Sequence, residues 1–189
     1  MKTLFVFAAL LIFNSLGYSQ WIIQNSPTTA ALQDVHFENS ELGWAVGGSD
    51  FFPQSSVILI TTNGGNNWSA QTSPLSRQLN ALSFVSSSQG WAVGSGGKII
   101  TTANGGINWS EQASGVVVDL FEVFFINNLK GWAVGDGGKI LATTDGGLIW
   151  QNRNSGTTDP LWSIWFSDAN TGWAVGGSTA FGNSRILKT

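Results

Sequence analysis

One segment recurs along the chain at a nearly constant interval. It reads GWAVGDGGKILATTDGGLIW at residues 131–150 and GWAVGSGGKIITTANGGINW at residues 90–109. A looser copy begins at residue 43 and ends at residue 68 after an insertion, and a fourth begins at residue 172. The tryptophans that open the motif are 47, 41 and 41 residues apart, and they are Trp44, Trp91, Trp132 and Trp173. A period near 41 residues indicates one supersecondary unit per repeat.

The repeat predicts an all-β protein, a β-propeller of four-stranded antiparallel blades, because propeller blades have this period. Composition agrees, since 24 glycines and 10 tryptophans with only 10% charged residues suit short strands joined by tight turns. The first strand of each unit follows the pattern Leu-x-x-apolar-x-Phe, as in LFEVFFI at residues 120–126. Such continuous apolar runs are typical of strands buried on both faces, as in stacked blades. Glycine-rich segments such as residues 94–97 predict two-residue hairpin turns between the second and third strands.

The repeat also predicts where the units begin and end. The segment WIIQNSP at residues 21–27 aligns with WSAQTSP at residues 68–74, so it resembles the end of a unit without its beginning. We predict a closing outer strand at residues 20–28, blade 1 at 31–74, blade 2 at 78–115, blade 3 at 119–156, and blade 4 at 160–189 without its last strand. A strand from one end of the chain can thereby complete a blade begun at the other. About four blades are expected, as part of a larger propeller or as a closed four-bladed ring.

The N-terminus has the features of a secretory signal peptide. Lys2 precedes an apolar run at residues 4–13, and a small and polar stretch follows at residues 14–20. A run of this length is too short to span a bilayer, which needs roughly 20 apolar residues. We therefore predict a signal peptide at residues 1–19, no stable membrane span, and export to the periplasm or the cell exterior.

Charge and composition restrict the possible functions. The net charge is −3 and the basic residues are scattered, so nucleic acid is not an expected partner. Without cysteine the chain has no disulfide, thiolate metal site or cysteine nucleophile. His36 is the only histidine, and no partners for a triad or a metal site are visible beside it. We expect neither a cofactor nor a metal.

A turn motif with the pattern Thr-x-Asn/Asp-x-Gly-x-x-Trp follows the third strand of three units. It resembles the Asp-box, or bacterial neuraminidase repeat. Its short polar side chain can accept backbone N–H groups, its glycine can take positive φ, and its tryptophan can seal the hairpin. We assign the box a structural role, and no catalytic or metal role is expected for Asp145, because two copies carry Asn there. The box residues are Thr61, Asn63, Gly65, Trp68, Thr102, Asn104, Gly106, Trp109, Thr143, Asp145, Gly147 and Trp150.

GWAVG, G-x-I-L-x-T and D-G-G-x-x-W occur together within a single unit. This arrangement is similar to the propeller family of the photosystem II stability and assembly factor, and the resemblance covers residues 21–189. It implies a non-enzymatic propeller in the thylakoid lumen, the periplasm or the cell exterior, which holds a protein partner. On this basis we expect an interaction scaffold that binds a protein through its loops, with no catalytic residues.

An extracellular glycoside hydrolase or glycan-binding propeller is the alternative, because sialidases and some endoglucanases are built on Asp-box propellers. A sialidase needs a tyrosine nucleophile, and the only tyrosine, Tyr18, lies in the predicted signal peptide. Two-carboxylate hydrolysis remains open, because Asp34 and Glu122 share one position in the first strands of different blades and can both point toward the axis. Each of them can equally be a solvated residue at the mouth of the channel. Other residues with possible ligand contacts are Phe51 and Phe52 in the first insertion and Trp162 and Trp165 outside the repeat motifs. For the inserted Phe residues, packing into their own loop is the other interpretation, and for the two Trp residues it is packing between blades.

Overall fold

The computed structural model describes residues 21–178 and 182–189, and within them the chain forms four antiparallel sheets, here called blades 1 to 4. Blade 1 contains β1 (Ala31–Phe37), β2 (Gly43–Ser49), β3 (Ser55–Thr61) and β4 (Ser69–Gln71). Blade 2 contains β5 (Leu79–Phe84), β6 (Gly90–Gly94), β7 (Ile99–Thr102) and β8 (Ser110–Gln112). Blade 3 contains β9 (Leu120–Phe125), β10 (Gly131–Gly135), β11 (Ile140–Thr143) and β12 (Gln151–Arg153). Blade 4 contains β13 (Leu161–Phe166), β14 (Gly172–Ser178) and β15 (Asn183–Lys188).

The strands of each blade pair in chain order, and the first strands β1, β5, β9 and β13 lie side by side. These four are called the inner strands. In a β-propeller the blades are arranged in this way around an axis, with their first strands side by side. The prediction of an all-β propeller with about four blades is therefore confirmed. The predicted signal peptide at residues 1–19 lies outside the described residues, and no described helix is long and apolar enough to cross a membrane.

Each inner strand has an irregularity in its pairing with the second strand. The register shifts after the leucine that opens the strand, so one extra residue stands in the inner strand. A bulge of this kind bends the strand and re-aims the following side chain. The four residues in the bulge are Gln33, Asn80, Phe121 and Trp162.

The turn between the second and third strands differs from the prediction. In blade 2 the N–H of Gly94 donates to the carbonyl of Lys98 at 2.9 Å, and a 3-10 turn at residues 95–97 stands between them. Gly96 and Gly97 have φ values of 67° and 72°. Blade 3 has the same turn at residues 136–138. The predicted two-residue turn is therefore wrong, although positive φ at the glycines is present.

Aromatic stacking joins each blade to the next. The Trp44 ring of blade 1 stacks on Phe84 of blade 2, with 3.7 Å between centroids and 9° between planes. The Trp44 indole N–H donates to the carbonyl of Gly105 in the Asp-box of blade 2 at 3.0 Å. The pairs Trp91–Phe125 and Trp132–Phe166 repeat the stack at 3.5 and 3.6 Å. The core of the molecule is thus a series of interfaces between blades rather than one central cluster.

Residues 21–30 precede β1 without joining any sheet. The side chains of Trp21 and Ile23 are fully exposed there. The closing outer strand at residues 20–28 consequently remains a prediction.

Candidate functional site

Two carboxyl groups occupy one register position of the inner strands, directly after the bulge. Asp34 on β1 pairs with Val46, and Glu122 on β9 pairs with Val134 at the equivalent place. The small side chain of Ala81 fills this position on β5, between the two acidic strands. The structure thus brings together the two acids that the sequence placed in equivalent positions.

The Asp34 carboxylate also connects two blades. Its Oδ2 accepts the backbone N–H of Leu82 on β5 at 2.9 Å, and its Oδ1 accepts the N–H of Val35 at 2.8 Å. Each oxygen therefore has a backbone donor, which fixes the side chain at the boundary between blades 1 and 2.

Glu122 holds its proton more tightly than an ordinary glutamate. The pKa of Glu122 is raised to about 7, mainly by burial and also by the negative charge of nearby Asp34, whereas the N–H of Val123 opposes the shift. That N–H donates to Glu122 Oε1 at 3.2 Å. A carboxyl group that is protonated near neutral pH beside a second carboxyl group can donate a hydrogen bond or a proton to a bound molecule.

His36 lies two residues after Asp34 and packs among aromatic rings. Its ring centroid is 5.8 Å from that of Phe84 and 6.5 Å from that of Trp44. Burial lowers the pKa of His36, and the charges of Glu38 and Asp34 partly oppose this. Within residues 21–178 and 182–189, no three His, Asp or Glu side chains converge so that they could hold a metal ion.

Two tryptophans of blade 4 are exposed on the inner strand β13. Trp162 stacks on Phe121 of blade 3 at 4.4 Å, and its indole N–H donates to the carbonyl of Gly177 at 3.2 Å. The Trp165 centroid lies 5.8 Å from that of Trp173. Both Trp162 and Trp165 remain about half exposed, at 52% and 54%. These rings therefore combine packing between or within blades with an open face.

Two phenylalanines are exposed in the insertion of blade 1, on a loop that is held in place by hydrogen bonds. The side chains of Phe51 and Phe52 are 86% and 98% exposed, so they do not pack into their own loop. Asp50 beside them accepts hydrogen bonds from the Ser95 hydroxyl and from the backbone N–H of Gln78, the latter at 3.3 Å. The loop is thereby attached to blade 2, and the two rings face solvent from an anchored backbone.

The three Asp-boxes share one hydrogen-bond pattern, shown by blade 3. Thr143 Oγ1 accepts the N–H of Gly147 at 2.9 Å, and Asp145 Oδ1 accepts the N–H of Ile149 at 3.0 Å and the Thr143 hydroxyl at 2.8 Å. These donors hold the pKa of Asp145 below its usual value, with the N–H of Ile149 contributing most. The equivalent hydrogen bonds recur at Thr61, Asn63, Thr102 and Asn104. The polar side chains of the boxes thus have partners within their own turns.

The sequence analysis did not single out a glutamine that links adjacent blades. Gln71 at the end of β4 donates through Nε2 to the carbonyl of Gly105 at 3.0 Å, and its Oε1 accepts the indole N–H of Trp109 at 3.4 Å. Gln112 makes the same two contacts with Gly146 and Trp150. The available signal was the recurrence of Trp-x-x-Gln at the end of successive units.

Known proteins match this chain in sequence and in fold. The sequence model of the family described as photosynthesis system II assembly factor YCF48 matches residues 13–114. The structure of YCF48 bound to D1 peptide has a TM-score of 0.69 and 23% identity, covering 92% of this chain and 57% of that chain. YCF48 from Cyanidioschyzon merolae gives a TM-score of 0.67 and 19% identity, covering 85% of this chain and 51% of that one.

A glycoside hydrolase shares the fold as well. The GH74 enzyme of Niastella koreensis has a TM-score of 0.66 and 18% identity, with 83% of this chain and 28% of the enzyme covered. At these identities the structural likeness shows the fold alone. The chain spans little more than half the length of the two YCF48 structures. No curated protein sequence matches the chain.

Proposed function

Because this chain belongs to the photosystem II assembly factor YCF48 family, we propose that it is an exported, non-enzymatic scaffold that binds a polypeptide segment of a partner protein. The observation that carries the proposal is the match of the family model to residues 13–114. The YCF48 structure bound to D1 peptide adds support, since a protein of the same fold there holds a peptide. The proposed function is peptide binding, and no photosynthetic protein is proposed as the partner.

The insertion loop of blade 1 is the contact surface that we propose. Exposed aromatic rings on an anchored backbone are favourable binding groups, because they bury a large apolar area with little loss of conformational entropy. Phe51 and Phe52 have this arrangement, with Asp50 holding the loop to blade 2. The partner segment should accordingly present apolar side chains to these two rings.

The proposed export depends on the N-terminal segment. If residues 1–19 act as a signal peptide, the protein secreted by an exporting host begins at Gln20, and mass spectrometry of the intact protein can show this. Recovery of the chain from the cytoplasm with Met1 or Lys2 still in place would contradict export.

A peptide array tests the binding function. The probes are overlapping peptides that tile the exported and membrane proteins of the same cell. The wild type should bind a defined set of spots, and the double variant Phe51→Ser/Phe52→Ser should lose about tenfold or more in affinity for them, equivalent to about 1.4 kcal/mol. The matched control is Leu148→Ser, which removes a side chain that is 83% exposed at the opposite end of the strands. Equal binding by all three proteins would refute the loop as the contact surface, and no spots for the wild type would refute peptide binding.

A glycoside hydrolase is the second candidate, favoured by the proximity of Glu122 to Asp34 and by the raised pKa of Glu122. Hydrolysis by two carboxyl groups requires a separation of about 5 to 9.5 Å, with one group protonated. A reducing-end assay on a panel of soluble polysaccharides separates the candidates. If the protein is a scaffold, the wild type should not hydrolyse any of these polysaccharides. Hydrolysis by the wild type that is lost in Glu122→Gln would overturn the scaffold proposal.

A further inference from the structure

The chain contains four dipeptides in which asparagine or aspartate directly precedes glycine. In such a dipeptide the backbone nitrogen of the glycine can attack the side-chain carbonyl carbon of the preceding residue, because glycine has no side chain to hinder the approach. Asparagine reacts faster than aspartate in an unfolded chain at neutral pH, because a charged carboxylate is a poor target for this attack. The sequence alone therefore indicates the two Asn-Gly pairs as the most reactive. The four pairs are Asn63–Gly64, Asn104–Gly105, Asp136–Gly137 and Asp145–Gly146.

Three of these pairs lie in the Asp-boxes, where the attacking nitrogen is held in place. In each box the N–H of the glycine donates to a backbone carbonyl in the turn between the first and second strands of the same blade, at 2.9 Å. The nitrogen is thereby directed away from the side chain that it would attack. These hydrogen bonds run from Gly64 to Glu41, from Gly105 to Ser88 and from Gly146 to Leu129.

The side chain that would be attacked is held in the boxes as well. Asn104 Oδ1 accepts the N–H of Asn108 at 2.9 Å and the hydroxyl of Thr102 at 3.0 Å. The boxes of blades 1 and 3 have the same two hydrogen bonds. Neither reacting group can turn toward the other until the box opens, and such local opening costs free energy.

The pair Asp136–Gly137 has the opposite arrangement. It lies in the 3-10 turn at residues 136–138, and both residues are exposed. The N–H of Gly137 donates to Asp136 Oδ1 at 2.8 Å, so the attacking nitrogen lies against the carboxyl group. A Cβ atom on Gly137 would meet no atom of the described residues within 4 Å, apart from its neighbours in the chain. Reacting groups that are already adjacent need little further ordering, and open space lets the turn adjust.

The next blade explains why blade 3 differs here from blade 2. In the equivalent turn of blade 2 the N–H of Gly96 donates to Asp119 Oδ1, at the start of blade 3, at 2.8 Å. Pro160 occupies the position of Asp119 at the start of blade 4, and proline has no carboxylate. The N–H of Gly137 is instead paired with Asp136 of its own turn.

We propose that Asp136–Gly137 is a site of spontaneous isoaspartate formation in the folded protein, and that the Asp-boxes protect the two Asn-Gly pairs. A bond forms between the nitrogen of Gly137 and Cγ of Asp136, while the hydroxyl of the neutral carboxyl group leaves as water together with the amide proton. Water then opens the resulting five-membered succinimide at either of its two carbonyl carbons. One opening restores aspartate, and the other gives isoaspartate, which adds one methylene group to the backbone of the turn.

Peptide mapping of the aged protein tests both parts of the proposal. The full chain is kept for several weeks at neutral pH, either folded or in guanidinium chloride, and isoaspartate is then located by mass spectrometry and measured with isoaspartate methyltransferase. Folding should slow the reaction of Asn63 and Asn104 by about 100-fold or more, because each box must open first. It should change the rate at Asp136 by less than about threefold. Similar rates at Asn63 and Asn104 in the two samples would refute protection by the boxes, and unmodified Asp136 in the folded sample would refute the site.

A substitution compares the same dipeptide in the two settings. Asp136→Asn places an Asn-Gly pair in the exposed turn, where it should lose ammonia about tenfold or more faster than Asn63 and Asn104 of the same folded molecule. Its circular dichroism should match that of the wild type, because the side chain is exposed. Asp145→Asn is the matched control, since it gives blade 3 the box residue of blade 2 and should react as slowly as Asn104. Equal rates of ammonia loss in the turn and in the boxes would overturn the proposal.

Discussion

Glu122 shows how the fold decides the chemistry of a single residue. The sequence places an acid in the inner strand of blade 3 and another, Asp34, at the same position of blade 1. Only the convergence of the inner strands buries Glu122 and brings the Asp34 charge close enough to raise its pKa. A glutamate at this position of an isolated hairpin would be neither buried nor close to a second carboxylate.

The raised pKa predicts a pH dependence of stability. Folded Glu122 keeps its proton up to about pH 7, whereas the unfolded chain releases it near the ordinary value of 4.5. The unfolded state therefore binds fewer protons in this window, so the free energy of unfolding falls as pH rises from about 4.5 to about 7. Because glutamine is always neutral, Glu122→Gln should match the wild type around pH 4 and exceed it around pH 8 by roughly 1 to 2 kcal/mol, after allowance for solvent screening.

Urea unfolding followed by tryptophan fluorescence at several pH values measures this difference. Glu41→Gln, in the exposed loop between β1 and β2, is the matched control and should keep the pH dependence of the wild type. Parallel curves for the wild type and Glu122→Gln would contradict the prediction.

At the scale of the element, the Asp-box turn provides a test of local hydrogen bonding. Thr143 is buried and its hydroxyl oxygen accepts the N–H of the buried Gly147 at 2.9 Å, so Thr143→Val leaves a buried donor unpaired. The free energy of unfolding should fall by about 1 to 3 kcal/mol. The neighbouring Thr144 is exposed, and Thr144→Val should change stability by less than about 0.5 kcal/mol. Equal effects of the two substitutions, measured by urea unfolding, would show that the box hydroxyl does not stabilise the turn.

The blade interface is the other element whose contribution can be measured. Trp91 is fully buried between blades 2 and 3, so Trp91→Ala should lower the free energy of unfolding by about 3 to 5 kcal/mol. Trp173 lies on the outer face of blade 4 and is only partly buried, so Trp173→Ala should lower the free energy of unfolding by no more than about 1 to 2 kcal/mol. Both losses are measured by urea unfolding followed by tryptophan fluorescence. A comparable loss for the two tryptophans would contradict burial between blades as the source of stability.

For the molecule as a whole, the structure that every repeat shares could be predicted from the sequence, whereas the contacts between repeats could not. The period of the tryptophans indicated blades, because each unit folds by the same local pattern. Whether Phe51 and Phe52 are exposed or packed into their own loop could not be decided from the sequence, because it depends on the attachment of Asp50 to the next blade. The bridging role of Gln71 was missed for the same reason, since its partners lie more than thirty residues away. Repeats thus give the architecture directly, whereas contacts between repeats require coordinates.

A chain of blades that contact only their neighbours should lose structure from its ends. Every residue of β6 is buried, whereas β1 and β15 contain no buried residue. In repeat architectures the stability of a unit depends on the interfaces on both its sides, so opening of the outer strands costs less free energy than opening of the middle. Hydrogen exchange should therefore show β6 amides protected on the order of 100-fold more than those of β1 and β15. Uniform protection of β1, β6 and β15 would indicate a single cooperative unit instead.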